Sequence, residues 1–528
     1  MIRTKLQTLA TLTRAGIVRP GRPDHLWHTV RALMRYGTTP VAGYTANARK
    51  FPDAPAVIDE LGTLSFGELD ERTNALARGL QADGVRAGDG VAIMCRNHRG
   101  WVEAMLACSK LGANALFLNT AFSGPQLADV TEREQPKAVI YDQEFSAVLE
   151  AAAKGRKRYV AWVDEQPDAP RLDDVIAGHE AAPLAAPAQK GRAIILTSGT
   201  TGTPKGAARS MPKSIDPIAA LLSVIPLRAR EKTMIAAPLF HAWGFVQWAL
   251  GISLASTIVL KRKFDEEATL SLTAQHECTA LVVVPVMLQR ILELDDEVLD
   301  RYDLSKVRVV PVSGSSLPRA ISDRWMDHFG EHLYNLYGST EVAWATIATP
   351  RDLREAPGTV GRPPRGSIVR LYDDDGRPVA RGETGRIFVS NEVQFEGYTG
   401  GGGKDEIDGL LSSGDVGHFD EAGRLFIDGR DDDMIVSGGE NVFPSEVEDL
   451  LHGHEAVRDV AVFGVDDEQF GQRLKAVIVK AGELSEDDVR AYVKANLAGY
   501  KVPRDVEFVD VLPRTSTGKV LKRELRNV

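Results

Sequence analysis

The stretch that most constrains the fold is IILTSGTTGTPKG at residues 194–206. The apolar run Ile194-Ile195-Leu196 has the character of a buried strand, and it passes directly into Gly, Ser and Thr residues and then Lys205. Gly199, Gly202 and Gly206 let backbone N–H groups turn toward an anion, Thr197, Ser198, Thr200, Thr201 and Thr203 add hydroxyl donors, and Lys205 supplies a point charge. A triphosphate is the guest this set suits. The alternative is a flexible surface loop, against which the preceding strand and the embedded lysine both count. A Walker loop is excluded, because Pro204 precedes the lysine and Gly206 follows it, where that pattern needs Gly-Lys-Ser/Thr.

Around this loop the chain alternates. Ser65-Phe66-Gly67-Glu68 reads as a capping box, opening a helix with Phe66, Leu69, Leu76 and Leu80 on one face. A strand is expected at 91–95, a helix at 101–111 stopped by Gly112, a strand at 115–118, a helix after Ser123 and a strand at 138–141. Further strands are expected at 234–237, 257–260, 281–284, 309–312 and 333–336. Such alternation implies an α/β fold with parallel sheets covered on both faces, and ligands gather at the strand ends. Past Gly382 the strands shorten and glycines multiply, which predicts a small antiparallel or barrel-like subdomain. The remainder from about residue 430 is read as a separate small α+β domain. The expected organisation is therefore a basic N-terminal arm at 1–44, a large domain at 45–429 and a small one at 430–528.

The 528 residues carry a net charge of −10. That balance argues against nucleic acid as a partner. Cys95, Cys108 and Cys278 lie far apart, so neither a disulfide framework nor a zinc site is indicated, and a reducing cytoplasm fits. The longest apolar run, 280–288, contains Pro285 and is too short to cross a bilayer. The first 36 residues differ: seven Lys and Arg face the single acid Asp24, among Leu6, Leu9, Leu26, Trp27, Val30, Leu33 and Met34. They suit an anionic membrane surface, an arm packed on its own domain, or, as a third reading, a mitochondrial targeting segment.

The phosphate loop resembles the motif of the adenylate-forming superfamily, which includes acyl-CoA synthetases, aryl-CoA ligases, luciferases and peptide-synthetase adenylation domains. The resemblance runs collinearly over residues 45–528 and is nearest the fatty-acyl-CoA synthetase branch. It implies that ATP activates a carboxylic acid to acyl-AMP with release of pyrophosphate, and that coenzyme A then takes the acyl group. Lys205 and its loop would grip the β and γ phosphates, Thr340 would touch the α-phosphate, and Glu341 with Thr200 would hold Mg²⁺. Tyr337 in YGSTE offers a face to adenine, with Gly314, Ser315 and Ser316 giving close backbone approach. Asp415 would accept from the ribose hydroxyls beside Arg430. The family places the motif that reads Phe240-His241-Ala242-Trp243-Gly244-Phe245 here at the mouth of the acyl pocket. In PRTSTGK, 513–519, the resemblance makes Lys519 the catalytic lysine of adenylation, and it puts a hinge at Asp432, two residues after Arg430.

Three departures stand out. Ser413 replaces the usual Thr before Gly414-Asp415, Ser316 replaces the usual Pro before Leu317, and the linker from 430 to 438 is one residue shorter than in many relatives. No aspartate sits in the pocket motif to pair with an amino-acid ammonium, so a neutral-tailed substrate is expected, with a medium- or long-chain fatty acid preferred. Aryl-CoA ligase, luciferase-like oxygenase, acyl-AMP ligase and non-catalytic regulator are the competing readings. The expected partners are the acid, ATP and CoA, without nucleic acid; a homodimer and peripheral contact of residues 1–36 with the inner face of the membrane are compatible with a cytoplasmic enzyme.

Overall fold

The computed structural model describes residues 2–18, 22–197, 205–209, 214–393, 395–399, 401–431, 435–437, 440–467, 471–515 and 518–525. The chain forms two compact units. One comprises Met1–Val283, Leu294–Pro311 and Glu392–Gly403; the other comprises Val284–Glu293, Val312–Asn391 and Lys404–Val528.

Among the described residues the first unit contains two sheets. In the larger, Ala193–Thr197, Asn114–Phe117, Gly90–Met94, Ala138–Asp142 and Lys157–Trp162 are parallel neighbours in that order. Every residue of Ala138–Asp142 is buried, as expected of a strand inside a doubly covered sheet. Two antiparallel strands, Lys205–Arg209 and Phe395–Tyr398, extend the edge beyond Ala193–Thr197. The second sheet joins Ala280–Val282, Lys232–Ile235, Thr257–Leu260 and Pro55–Asp59 in parallel, with Gly62–Ser65 antiparallel at its edge. The expected helix signals act locally. Ser65 and Ser123 both form capping boxes, and Gly112 ends its helix in the left-handed region at φ +75°.

The N-terminal arm is helical, over Ile2–Arg14, Pro23–Tyr36 and Pro40–Lys50. Its inner face packs on the unit: Leu12, Ala15, Ala32 and Tyr36 are buried, Thr8 hydrogen-bonds Asp216, and the Ala229 N–H donates to the Ala15 carbonyl at 2.7 Å.

In the second unit, Leu333–Ser339 and Ala343–Ala348 form an antiparallel hairpin. An antiparallel sheet follows, ordered Thr359–Gly361, Leu425–Arg430, Leu410–Phe419, Gly385–Ser390 and Ile368–Tyr372, with Glu406–Ile407 paired to Leu410–Phe419. Asp415 lies inside the strand Leu410–Phe419, directly opposite Arg430. From Ile435 onward the chain builds its own sheet around Val457–Asp467 and Gly471–Lys480, covered by the helices Pro444–His452 and Glu486–Asn496. Its core, including Val447, Val462, Leu474, Ile478 and Val493, is drawn from this segment alone.

Candidate active site

In the second unit Tyr337, Ser413 and Arg430 meet at Asp415. Strand register sets Asp415 against Arg430, whose Nε lies 3.9 Å from Asp415 Oδ1. The Tyr337 hydroxyl donates to Asp415 Oδ2 at 2.6 Å and lies 3.1 Å from Ser413 Oγ. Ser413 Oγ also accepts from the Asp415 N–H at 3.2 Å. Desolvation raises the Asp415 carboxyl above its ordinary range, against the pull of the Tyr337 hydrogen bond and the Arg430 and Lys519 charges. Burial, followed by the Asp415 charge, pushes the Tyr337 phenol far up, so it stays a protonated donor.

Glu341 sits on the corner of the Leu333–Ser339 hairpin. Ser339 Oγ accepts from the backbone N–H groups of Glu341 and Val342, each at 3.2 Å, and lies 3.1 Å from Glu341 Oε2. The corner closes tightly. A Cβ on Gly338 would fall 1.9 Å from the Ala343 carbonyl oxygen, and Ala343 adopts φ +60°. Thr340, partly buried, lies between the two strands of this corner. Gly314 is held at φ +107°, Ser315 is partly buried and Ser316 is exposed.

Lys519 is exposed on a turn closed from both sides: the Thr515 N–H donates to the Lys519 carbonyl at 2.8 Å, and the Lys519 N–H donates to Thr515 Oγ1 at 3.1 Å. Arg514 braces the turn. Its Nη2 makes a bidentate pair with Asp459 at 2.6 and 2.7 Å, and its Nη1 bonds the Gly518 carbonyl. Gly518 is at φ +84°, and a Cβ there would lie 2.5 Å from Val286.

In the first unit, Thr197 pairs with Lys205 across an antiparallel ladder, so the phosphate-loop sequence joins two strands. Ser198, Gly199, Thr200 and Thr201 lie outside the described residues, as does Asp432. Lys205 is exposed, with its ammonium 5.1 Å from the centroid of the Tyr398 ring. The pocket motif divides by role. His241 is partly buried at the N-terminal boundary position of the Ala242–Ser253 helix, and desolvation lowers its imidazole to about 4, so it is neutral at pH 7. Trp243 is buried, its indole N–H donating to the Val283 carbonyl at 2.9 Å. Gly244 is a close-packing glycine: a Cβ would meet the Pro238 carbonyl oxygen at 2.2 Å. Phe245 joins an aromatic cluster with Phe117 and Trp248, at centroid separations of 5.3 and 5.8 Å.

The sequence matches the AMP-binding enzyme family over residues 44–399 and the AMP-binding enzyme C-terminal domain over 446–519. The chain belongs to the AMP-binding enzyme family. Feruloyl-CoA synthase of Amycolatopsis sp is 36% identical over 499 residues, 91% of this chain and 96% of that protein. Indoleacetate–CoA ligase of Aromatoleum aromaticum is 31% identical, covering 88% and 93% of the two chains. The crystal structure of the anthranilate CoA ligase AuaEII in complex with anthranoyl-AMP superposes with a TM-score of 0.82 at 26% identity, covering 92% of this chain and 96% of that one. This AMP-binding enzyme is an acid–thiol ligase that works through an acyl-adenylate and uses ATP and coenzyme A.

The residues fit a divalent cation carried with ATP: Glu341 is a carboxylate fixed by Ser339 on a tight corner, and one or two such carboxylates suffice where phosphate oxygens supply the rest. Several groups of the AMP-binding enzyme escape the sequence reading. Buried Asn97 donates to the Ala237 carbonyl and accepts from the Leu239 N–H, both at 2.9 Å, fastening the turn before His241. A polar residue just past the end of a buried strand was the available signal. Tyr398 beneath Lys205 and Asp459 behind Arg514 had none, because each partner is distant in sequence. Cys95, which the sequence set far from the other two cysteines, gathers with His98 and Asp142 in the buried interior. There His98 Nε2 bonds Asp142 at 2.7 Å and Nδ1 accepts the Gly100 N–H at 3.1 Å, which occupies both ring nitrogens in fixing a helix N-terminus.

Proposed function

We propose that this AMP-binding enzyme activates a carboxylic acid with an uncharged, apolar tail, and that a medium- or long-chain fatty acid fills that description. The observation that carries the reading is the pocket motif, where a neutral imidazole, His241, stands beside the buried indole of Trp243, and no carboxylate is present to pair with a substrate ammonium. An aryl acid is the second reading, favoured by the 36% identity to feruloyl-CoA synthase.

In the proposed chemistry a substrate carboxylate oxygen attacks the α-phosphorus of ATP and pyrophosphate leaves. Lys205 and its loop hold the terminal phosphates, Thr340 contacts the α-phosphate, and Gly314, Ser315 and Ser316 approach the base. Asp415, presented by Ser413 and Tyr337, accepts from the ribose hydroxyls with Arg430 beside it. Glu341, with Thr200, would hold the Mg²⁺ carried with ATP, which would supply neutralising charge to the phosphates. Lys519 places an ammonium where two anions must meet, the kind of preorganised charge that contributes a few kcal/mol to a barrier. The coenzyme A sulfur then attacks the acyl carbon, forming the thioester as AMP leaves.

Pyrophosphate release measured over octanoate to palmitate, ferulate, anthranilate and free amino acids tests the reading, with acyl-CoA detected as product. Within the fatty series, each methylene buried should improve kcat/KM by up to about fourfold, from roughly 0.8 kcal/mol per CH₂. Turnover on the aryl acids alone would select the second reading, and turnover confined to amino acids would refute both.

A further inference from the structure

We propose that the N-terminal helical arm is a docking surface for an anionic lipid bilayer. Helix Pro23–Tyr36 is amphipathic in an inverted sense: Ala32 and Tyr36 are buried against the protein, and the outward face is apolar. Leu26, Trp27, Val30, Leu33 and Met34 recur at helical spacing on that face, with Trp27 61% and Met34 82% exposed. Helix Ile2–Arg14 repeats the arrangement, burying Thr8, Leu12 and the following Ala15, while Leu6 is 62% exposed and Leu9 is also outward. A surface helix that turns its large apolar residues to solvent has an unfilled requirement for an apolar partner.

The charges select the partner. Lys5, Arg14 and Arg31 are exposed beside these apolar residues, and the one acid in the segment, Asp24, is held by Arg22 at 2.8 Å. A basic arm on a chain of net charge −10 concentrates positive potential at one place. A symmetric contact with a second copy would set one basic arm against another, whereas anionic headgroups complement the same side chains while the acyl region receives Trp27, Leu26 and Met34. The neighbouring Arg35 lies over the Tyr36 ring, its guanidinium carbon 5.3 Å from the centroid, and so belongs to the packed face.

The test is co-sedimentation of the full chain with phosphatidylcholine vesicles containing or lacking phosphatidylglycerol. Binding to the anionic vesicles should exceed binding to the neutral ones at least tenfold, and should fall steeply between 0.05 and 0.5 M salt, because each basic residue near such a surface contributes about fivefold in partitioning. Trp27→Glu with Met34→Glu should abolish binding, and Lys5→Glu with Arg31→Glu should cut it at least tenfold. All four positions are exposed, so pyrophosphate release with a water-soluble acid, and the melting temperature, should match the wild type and certify the fold. Equal binding by wild type and variants, or no binding by the wild type, overturns the proposal. A vesicle-indifferent dimer that Trp27→Glu with Met34→Glu converts to monomer also overturns it and assigns the face to a second copy.

Discussion

Tyr337 has one hydroxyl and spends it on Asp415, at 2.6 Å in surroundings that disfavour an unpaired carboxylate. In Tyr337→Phe the ring remains and Asp415 Oδ2 loses its shortest donor. A hydrogen bond to a charged acceptor is worth about 1.5–3 kcal/mol, so KM for ATP should rise roughly tenfold to a hundredfold while KM for the acid barely changes. An unchanged KM for ATP would show that Asp415 does not contact the nucleotide. The sequence suggested only a face for adenine here; the phenol-to-carboxylate bond joins residues 78 positions apart and has no local signature. His241 yields a prediction in pH. Its imidazole titrates near 4 in the folded enzyme against 6.5 ordinarily, so between those values the unfolded chain binds a proton that the folded one refuses. Above pH 6.5 both states are neutral and the effect vanishes. The His241 contribution should therefore appear as stability lost when pH falls from 6.5 toward 4, and His241→Gln should flatten that part of the melting-temperature profile. A variant with the same acid slope as the wild type would remove His241 from the account.

At the level of elements, two short turns carry disproportionate weight. The 514–520 turn presents Lys519, and Arg514 holds it to Asp459 and to the Gly518 carbonyl. Arg514→Ala should lower acyl-AMP formation about tenfold to a hundredfold through lost positioning, a cost of roughly 1.4–2.7 kcal/mol, and leave conversion of supplied acyl-AMP and CoA within about threefold. Equal loss in both half-reactions would show damage to the small core instead. The other turn leads into the Ala242–Ser253 helix. Gly244→Ala places a methyl against the backbone oxygen of Pro238, which cannot swing aside as a side chain can, so the helix must shift. We expect about 1–3 kcal/mol of destabilisation, read as a lowered denaturation midpoint, with weaker acid binding. A wild-type midpoint would show that the turn yields freely. Helix starts at Ser65 and Ser123 and the stop at Gly112 were legible because capping is decided within four residues. The strand at Asp415 was not, because glycines that suggest a loop locally are accommodated by a ladder with Arg430.

For the whole molecule, a lysine needed at the phosphates and a thiol that must later reach the same carbonyl together argue for a domain movement, with Asp432 the proposed pivot. Asp432→Pro should spare acid-dependent ATP–pyrophosphate exchange and depress thioester synthesis at least tenfold, since proline fixes φ near −65°. Unimpaired thioester synthesis would move the pivot elsewhere. Asp431 is a poorer probe: its N–H donates to the Gly414 carbonyl at 3.0 Å and its carboxylate takes Arg386 at 2.9 Å, so it is anchored in spite of its acidic neighbours. Proline there should impair both half-reactions by disturbing the strand that carries Asp415. The amino-acid order alone determined the α/β alternation, the helix signals at Ser65, Gly112 and Ser123 and the family, because apolar period, capping and turn chemistry act over a few neighbouring residues. Tertiary structure alone decided that the Tyr337 hydroxyl serves Asp415, that Gly244 is a packing contact, that Asp431 is pinned, and which face of the N-terminal arm is outward. Those depend on where distant strands and helices come to rest, and a buried polar atom takes whichever partner the packing brings within reach.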